Sequence, residues 1–493
     1  AGTLGLPEKR VLRLALDGGL LSGRSGRSET SPALSWRGTL AELSLSSRRA
    51  VEATPLLRLS APASLSLAGK DLSFGPANFD GLIGRLQVDR LSLAQNLRQS
   101  SGRWQALRLR ALSQEFPELL SHFEVFANNN PQPLVLGSTW DVSFDARAPG
   151  RSAASVEVWR ESGDLVLGKL ALGLSEARAK AGLAQGRLAL NAVLRGSRLG
   201  EISAELNAAA ISGSQGGRLI DPQAPWQGRV QAQVPDLAWL SPLLGEGWQL
   251  AGRLDGQMRL AGSAARPEFS GQWRGESLAV RSLDYGMRLE QGQALVELTP
   301  ERLFLRKLSF ASLFSSMPKA LKFDENVDAK ALIATPGRFE ASGELPLGGT
   351  NGGEAQVKLL LDRVGVMQQP DHWVVISGDS EAHISERLLD VTGKLRADAG
   401  FWVLGDSARA RLSDDVVVRR PGAAGEAGQA AQAAQAAARA MRFDLDADFG
   451  KSFYFRGVGV ESRLTGQLRV RSDDAGLPRA TGSIRTVDGK FDA

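Results

Sequence analysis

A two-residue alternation of apolar and polar side chains runs through residues 252–310 and limits what this chain can fold into. In an extended strand Met258 and Leu260 point to one side, and Arg259 points to the other. Because a helix repeats about every 3.6 residues, this pattern predicts strands with one apolar face. Turn-forming residues interrupt the stretch and predict short strands, at Gly256, Gly262, Pro267, Gly271, Gly275, Gly286, Gly292 and Pro300.

The same unit returns near the C-terminus. Residues 253–260 (RLDGQMRL) match residues 463–470 (RLTGQLRV), and the PEFSG run at 267–271 matches the PRATG run at 478–482. A chain that repeats strand, turn and strand in this way predicts one long sheet of successive modules. No linker of distinct composition divides the 493 residues, which favours a continuous repeating structure.

The composition suits a large folded chain and excludes several kinds of site. Hydrophobic residues make up 43% of the sequence, which is too much for a disordered chain. The 59 basic and 54 acidic residues are interleaved, whereas nucleic-acid binding requires a basic stripe. The absence of cysteine excludes disulfides and thiol chemistry. No apolar run reaches the roughly 18 residues that would span a membrane, and no signal peptide is recognisable, so we expect a processed or excised piece.

A few segments depart from the strand pattern. Residues 116–126 and 235–245 carry spaced leucines or phenylalanines, and residues 313–322 are a further helix candidate. We expect short helices that interrupt the sheet and cover its apolar face or an edge. Residues 421–440 are an alanine and glutamine tract without a large apolar side chain, which predicts a flexible, partly helical surface insertion.

No motif in the chain indicates catalysis or metal binding. The three histidines are His122, His372 and His383, and we expect the last two on different strands, in no compact zinc spacing. Residues 348–353 are rich in glycine but lack the lysine and the following helix of a phosphate-binding loop. We therefore expect a protein that is not an enzyme and that holds no metal or cofactor.

The apolar face itself remains, and the strand pattern leaves two arrangements open. A β-sandwich or closed β-helix would fill its own interior with this face. A curled sheet would instead form an open trough for an apolar ligand. A lipid acyl chain suits such a trough, because each CH₂ loses ~0.8 kcal/mol when it is exposed to water.

Strand parity selects the residues that would line a lipid groove. All of them are apolar and stand on the apolar side of a predicted strand, and an ordinary core role is the alternative for each. They are Met258, Leu260, Phe269, Leu278, Val280, Met287, Leu289, Val296, Leu298, Leu303, Leu305, Leu308, Phe310, Val357, Leu359, Leu361, Leu395, Phe453, Phe455, Leu468 and Val470.

Several runs of residues resemble the TamB family of AsmA-like proteins. The order of these runs in one β-rich chain carries the resemblance, which is clearest over residues 228–493 and weaker over residues 1–227. The runs are residues 235–240, 248–256, 391–400, 412–418, 446–470 and 482–491.

The resemblance implies an all-β fold, in which a long, continuous, curled β-sheet with a few short helices forms an open groove with an apolar interior. It implies a periplasmic protein of Gram-negative bacteria, anchored in the inner membrane, that carries phospholipids between the inner and outer membranes. It also implies a partnership with the outer-membrane barrel protein TamA in the assembly of outer-membrane proteins, including autotransporters. We expect this piece to lack the N-terminal anchor and to stop inside the C-terminal domain that engages TamA.

The resemblance also suggests a division of the chain. Residues 1–227 are then the N-terminal part of the groove, and residues 228–420 are its central modules. Residues 421–440 are the low-complexity insertion, and residues 441–493 begin the C-terminal domain of the family.

Two hypotheses stand beside the lipid conduit. In one, exposed sheet edges pair with strands of outer-membrane proteins, and the chain is an assembly scaffold that transports no lipid. In the other, the chain is a secreted β-helical adhesin, which predicts a closed coil of regular period. The irregular strand spacing argues against the adhesin.

Overall fold

A computed structural model describes most of the chain, namely residues 2–6, 10–21, 35–47, 55–116, 132–145, 147–167, 170–209, 223–245, 247–263, 265–323, 325, 327–347, 354–385, 388–404, 440–457, 459–472 and 478–491. The chain divides into two compact units, each described by itself. Unit 1 comprises residues 1–239 and 255–269, and unit 2 comprises residues 240–254 and 270–493.

Short and long strands build unit 1. They are β1 (Gly2–Leu6), β2 (Arg10–Leu21), β3 (Ser35–Ser47), β4 (Leu57–Leu59), β5 (Ala63–Ala68), β6 (Asp71–Phe74), β7 (Ala77–Gly81), β8 (Gly84–Leu93), β9 (Leu97–Arg108), β10 (Val135–Asp145), β11 (Ala153–Ser162), β12 (Val166–Leu167), β13 (Leu170–Ala171), β14 (Leu174–Ala184), β15 (Arg187–Gly196), β16 (Gly200–Ala209) and β17 (Trp226–Val234). The helix α1 spans Leu109–Glu115, and a 3-10 turn spans Pro149–Arg151.

Three elements have residues in both units. These are a 3-10 helix (Ala238–Leu244), β18 (Trp248–Gly262) and β19 (Pro267–Ser282). The helices α2 and α3 of unit 2 span Lys319–Lys322 and Ala329–Ala334. Its remaining strands are β20 (Arg288–Leu298), β21 (Arg302–Ser312), β22 (Gly337–Pro346), β23 (Ala355–Gln368), β24 (His372–Ile384), β25 (Leu388–Val403), β26 (Ala440–Asp448), β27 (Phe453–Gly457), β28 (Val460–Ser472) and β29 (Pro478–Phe491).

Antiparallel pairing joins the described strands of unit 1. β1, β2 and β3 pair in chain order, and β3 then pairs with both β4 and β5. β4 continues through β7 and β5 continues through β6, and the two branches meet again at β8. From β8 the sheet runs through β9, β10, β11, β14, β15, β16 and β17, while β12 and β13 form a separate hairpin.

Unit 2 changes its topology at β25. From β19 to β25 each strand pairs antiparallel with the next. β25 then pairs in parallel with β26 and β27, which requires a crossover connection instead of a hairpin. β26 and β27 both pair antiparallel with β28, so they occupy one strand position that is interrupted at residues 449–452. β28 pairs antiparallel with β29.

The internal repeat in the sequence corresponds to a repeated structural element. Residues 253–260 lie in β18, and residues 463–470 lie in β28. In both copies the next strand begins at the proline of the second matching run, Pro267 in β19 and Pro478 in β29.

Some predicted turns and strand ends are wrong because isolated glycines lie inside strands. Gly275 is within β19, Gly292 is within β20 and Gly378 is within β24. β24 accordingly continues without interruption through Gly378, from His372 to Ile384. A glycine inside a strand often permits a close approach by a neighbour, and sequence alone does not distinguish this from a turn.

The predicted helices have different outcomes. The 3-10 helix lies within residues 235–245, and α2 lies within residues 313–322. Most of the helix predicted at residues 116–126 falls outside the described residues, as does the tract at residues 421–439. Leu109 follows β9 directly and begins α1.

Fully buried side chains form local clusters. In unit 1 one cluster surrounds Leu40 and Phe79, and another surrounds Leu172 and Leu174. In unit 2 one cluster contains Leu321, Trp373, Val375, Ala399 and Phe401. The predicted all-β class, with long sheet pairing and a few short helices, is confirmed.

Candidate functional site

The strand register of unit 2 aligns apolar side chains in rows across the sheet. Residues that are paired across antiparallel or parallel neighbours point to the same face. One such row crosses eight strand positions through the pairs of Trp273, Val296, Leu305, Gly343, Val357, Ala382, Val391 and Phe443. We call the surface made by this row and the parallel rows the unit 2 apolar face.

Seventeen of the residues that sequence parity selected for a groove lie on the unit 2 apolar face. The register connects them in spite of bulges in several strands. They are Leu278, Val280, Leu289, Val296, Leu298, Leu303, Leu305, Leu308, Phe310, Val357, Leu359, Leu361, Leu395, Phe453, Phe455, Leu468 and Val470.

The unit 2 apolar face carries no charged side chain among its described, paired residues. Asp, Glu, Lys and Arg are absent from it over β19 to β29. Its polar members are Ser312, His372, Ser380, Ser462, Ser472 and Thr486. A surface of this extent without an ion suits an apolar ligand.

Most of this face is only half-buried. Of the seventeen residues, Leu278, Leu289 and Phe310 are buried, at 7%, 5% and 7% exposure, and the others are intermediate. In the unit 2 core cluster, by contrast, Val375 and Ala399 are completely buried. Strand neighbours thus shield the flanks of the apolar side chains, while the described residues leave much of the face open to solvent.

Outside the buried cluster of Trp373 and Phe401, the opposite face of unit 2 carries charged side chains. Arg281 donates to Glu290 at 2.6 Å, Arg306 donates to Glu297 at 2.7 Å, and other cross-strand ion pairs follow. Arg469 donates to both carboxylate oxygens of Asp444, at 2.7 and 2.8 Å, and holds the pKa of Asp444 well below its ordinary range. Exposed pairs of this kind add little stability, but they keep this face in water.

The register of unit 1 also produces a single apolar face. One row passes through Ser100, Val142, Ala154, Leu183, Leu188, Ala208 and Trp226. Between the strand ends this face is free of charge in the described residues, and Arg98 and Arg160 stand at its margins. Leu260 lies on it, because its Cδ1 and that of Leu206 both flank the position where Gly228 would carry a Cβ.

The remaining groove candidates lie at less defined positions. Met258 is in β18, two residues before Leu260, and so points to the same side of that strand. Phe269 is near the start of β19. Met287 is in the turn before β20, where its carbonyl accepts a hydrogen bond from Ser282 N at 3.0 Å.

Sequence parity missed other members of the unit 2 apolar face. Most of them lie in strands where the same alternation is present but is interrupted by glycine or aromatic residues. They include Trp273, Phe339, Leu345, Val364, Met367, Val374, Ile376, Ile384, Leu389, Val391, Trp402, Phe443, Leu445 and Leu464.

Short non-strand segments cover the strands at a few places. In unit 1 Trp239 packs against the cluster of Leu172 and Leu174. In unit 2 Leu321 of α2 packs against Trp373 and Phe401, which point away from the unit 2 apolar face. The helical segment after β21 therefore covers part of the opposite face, around Trp373 and Phe401.

The histidines do not form a site. His372 and His383 were expected on different strands, and this is wrong, since both lie in β24. They are an odd number of residues apart, so they point to opposite faces: His372 contacts the Trp402 ring, and His383 lies near Glu354 and Glu381. Among the described residues no cluster of His, Asp or Glu could hold a metal ion, and no helix is long and apolar enough to cross a membrane.

Two family models match parts of the chain. A family model described as the TamB C-terminal domain matches residues 326–493, and one described as the TamB N-terminal domain matches residues 135–274. No solved structure matches the chain. The two family matches together cover more than half of the sequence, and they occur in the order that their descriptions give. The chain belongs to the TamB family.

Proposed function

We propose that this chain is part of a lipid conduit that carries phospholipids between the inner and outer membranes. The acyl chains lie on the apolar faces of the sheets, and the head groups remain in water. The observation that carries the proposal is the unit 2 apolar face, which is free of charge and half-exposed over its described strands.

The energetics favour an acyl chain over water on this surface. Moving apolar area out of water contributes about 25 cal/mol per Å², so a chain of about 15 carbons is favoured by on the order of 10 kcal/mol when it is covered. The half-buried leucines gain from the same contact. The charged opposite face favours solvent, and the sheet therefore presents only one side to lipid.

Family membership supports the setting of this proposal. The TamB family belongs to the translocation and assembly module and spans the periplasm. For the full-length protein we propose an inner-membrane anchor and association with the outer-membrane barrel protein TamA. We propose no catalytic step, since movement along an apolar surface needs none.

Two neighbouring residues of β21 provide the test. Leu305 lies on the unit 2 apolar face, between Val296 and Gly343, while Phe304 lies on the charged face, between Glu297 and Glu344. We expect the purified chain to transfer fluorescent phosphatidylethanolamine between vesicles, Leu305→Arg to abolish the transfer, and Phe304→Arg to leave it unchanged. Equal transfer by both variants, or none by the unmodified chain, would contradict the proposal.

A second candidate function is a scaffold for the assembly of outer-membrane proteins, and β29 favours it. Among the described strands β29 pairs only with β28, and from residue 479 to residue 490 all of its side chains except Val487 are exposed. Such an edge presents backbone groups to which an incoming strand can bind.

Photo-crosslinking separates the two candidates. A crosslinker at Thr481 or Arg485 in β29 would capture an unfolded outer-membrane barrel protein if the edge is used. One at Leu468 in β28 would capture phospholipid if the apolar face is used. Protein capture at the edge without lipid capture at Leu468 would favour the scaffold and count against the conduit.

A further inference from the structure

An aromatic side chain on the unit 2 apolar face, Phe310, lies against a glycine. Gly292 in β20 is adjacent to Phe310 in β21, and a Cβ at Gly292 would overlap the Phe310 ring. The ring also packs against Phe339 in an edge-to-face arrangement, with 6.0 Å between the centroids. Because the glycine provides the space, Phe310 is 7% exposed in spite of its size.

Leu278 is accommodated in the same way. A Cβ at Gly275 would lie 2.8 Å from Leu278 Cδ1, and one at Gly292 would lie 2.7 Å from Leu278 Cβ. Both distances are shorter than an ordinary contact between carbon atoms, about 3.5–4.0 Å. Leu278 is consequently 7% exposed, and the two glycines keep two large side chains low on this face.

The same relationship recurs along the chain. In unit 2 a Cβ at Gly400 would overlap the Phe453 ring. In unit 1 a Cβ at Gly102 would lie 2.5 Å from the Trp140 indole and closer still to Gln87 O, and one at Gly18 would lie 2.6 Å from both the Trp36 indole and Arg37 O. Each of these glycines and its aromatic neighbour share an apolar face. At Gly400, as at Gly292, ring atoms are the nearest contacts, while at Gly102 and Gly18 the ring and the neighbouring backbone both occupy the space of a Cβ.

We propose that the glycines beneath Phe310 and Leu278 set the clearance of the lipid path on the unit 2 apolar face. The inference rests on the proposed conduit and identifies the residues that limit the cross-section of the acyl chain. A ring that lies against a glycine leaves a level surface over which a flexible acyl chain moves. An alanine methyl group beneath the ring would push it outward from the sheet, so that it blocks the acyl chain without any change in the polarity of the face.

The test is Gly292→Ala, with Gly292→Ala/Phe310→Leu as the rescue variant. The added methyl group should lift the Phe310 ring, and the smaller leucine should make room for it. Gly182→Ala in β14 is the matched control, because the nearest atom to a Cβ there is Ala154 O at 3.9 Å. Phosphatidylethanolamine transfer between vesicles is measured together with thermal unfolding by circular dichroism.

We expect Gly292→Ala to slow transfer several-fold, the double variant to recover most of the lost rate, and Gly182→Ala to transfer at the original rate. Unchanged transfer by Gly292→Ala overturns the clearance proposal and leaves the conduit in place, as does slow transfer that Phe310→Leu fails to restore. Absence of transfer by the unmodified chain overturns the conduit and the clearance proposal with it. A fluorine label on Phe310 gives a second measurement. In Gly292→Ala the ring should be more exposed, so a paramagnetic solute should broaden its fluorine NMR signal more than in the unmodified chain.

Discussion

Leu359 and Leu360 are consecutive residues of β23 whose side chains leave opposite faces of the sheet. Leu359 is paired with Ala341 and Ser380, whereas Leu360 is paired with Glu340 and Asp379. Leu359 is half-buried on the unit 2 apolar face, and Leu360 is 52% exposed on the charged face. One strand thus carries two leucines in different surroundings.

The first prediction compares Leu359→Arg with Leu360→Arg. Arginine at 360 gains two acidic neighbours, so stability should change by no more than about 1 kcal/mol and bound lipid should stay the same. Arginine at 359 places an ion on the charge-free face, and the amount of phospholipid bound per chain, measured by mass spectrometry, should fall sharply. Circular dichroism should show both variants folded, because position 359 is partly open to water. Unfolding of Leu359→Arg would instead indicate a closed core at this position.

The second prediction concerns two tryptophans in neighbouring strands. Trp373 is 1% exposed in the unit 2 core cluster and donates from Nε1 to Ser315 Oγ at 3.3 Å, while Trp402 is half-buried on the apolar face. Trp373→Ala should cost about 3–5 kcal/mol of unfolding free energy, as full truncation of a buried aromatic does. Trp402→Ala should cost clearly less. Guanidinium denaturation measures both, and equal losses would mean that the apolar face is as closely packed as the core.

The third prediction concerns acid stability. Hydrogen bonds from Arg469, and then from Arg471, lower the pKa of Asp444. A carboxylate with a lowered folded-state pKa stabilises the fold above its unfolded pKa of about 3.9, and this contribution is lost as the pH falls through the folded value. Stability should therefore be level from neutral pH to about pH 4 and then decrease, and the decrease should be shallower in Asp444→Asn. An identical acid profile for the two proteins, measured by thermal unfolding, would contradict this.

The fourth prediction concerns the hairpin of β12 and β13. Asp164 accepts hydrogen bonds from the backbone N–H groups of Leu165, Gly173 and Leu174, at 2.8, 2.9 and 2.8 Å. Asp164→Ala leaves these donors without that acceptor, which should cost about 1–3 kcal/mol. Hydrogen exchange should accelerate at Gly173 and Leu174, and Asp164→Asn should preserve part of the protection. Unchanged exchange at both amides would show that other contacts hold the hairpin.

The apolar face could be predicted from the sequence because apolar residues recur at every second position, which is also the repeat of side chains on one face of a strand. Leu303 and Leu305, or Val357 and Leu359, share a face in any strand that contains both, whatever the strand's partner. Pairing then carries that face from one strand to the next, so separate local predictions agree. This agreement is why all the candidates with a defined register in unit 2 share one surface.

Other features could not be predicted, because they depend on neighbours that are distant in the chain. Gly275 and Gly292 resemble turn residues until Leu278 and Phe310 are seen to occupy their space. The parallel pairing of β25 with β26 joins residues that are about fifty positions apart, and no local pattern encodes it. The proposed boundaries at residues 227, 420 and 440 remain predictions.

The most direct measurement of the central claim is a photo-crosslinker scan of β23 with radiolabelled phosphatidylethanolamine. A crosslinking amino acid is placed at each residue from 356 to 361, and the purified chain is illuminated in the presence of labelled vesicles. The account predicts lipid capture at Val357, Leu359 and Leu361 and none at the residues between them, since only the first set lies on the unit 2 apolar face. Capture at no position, or capture without the two-residue period, would contradict it.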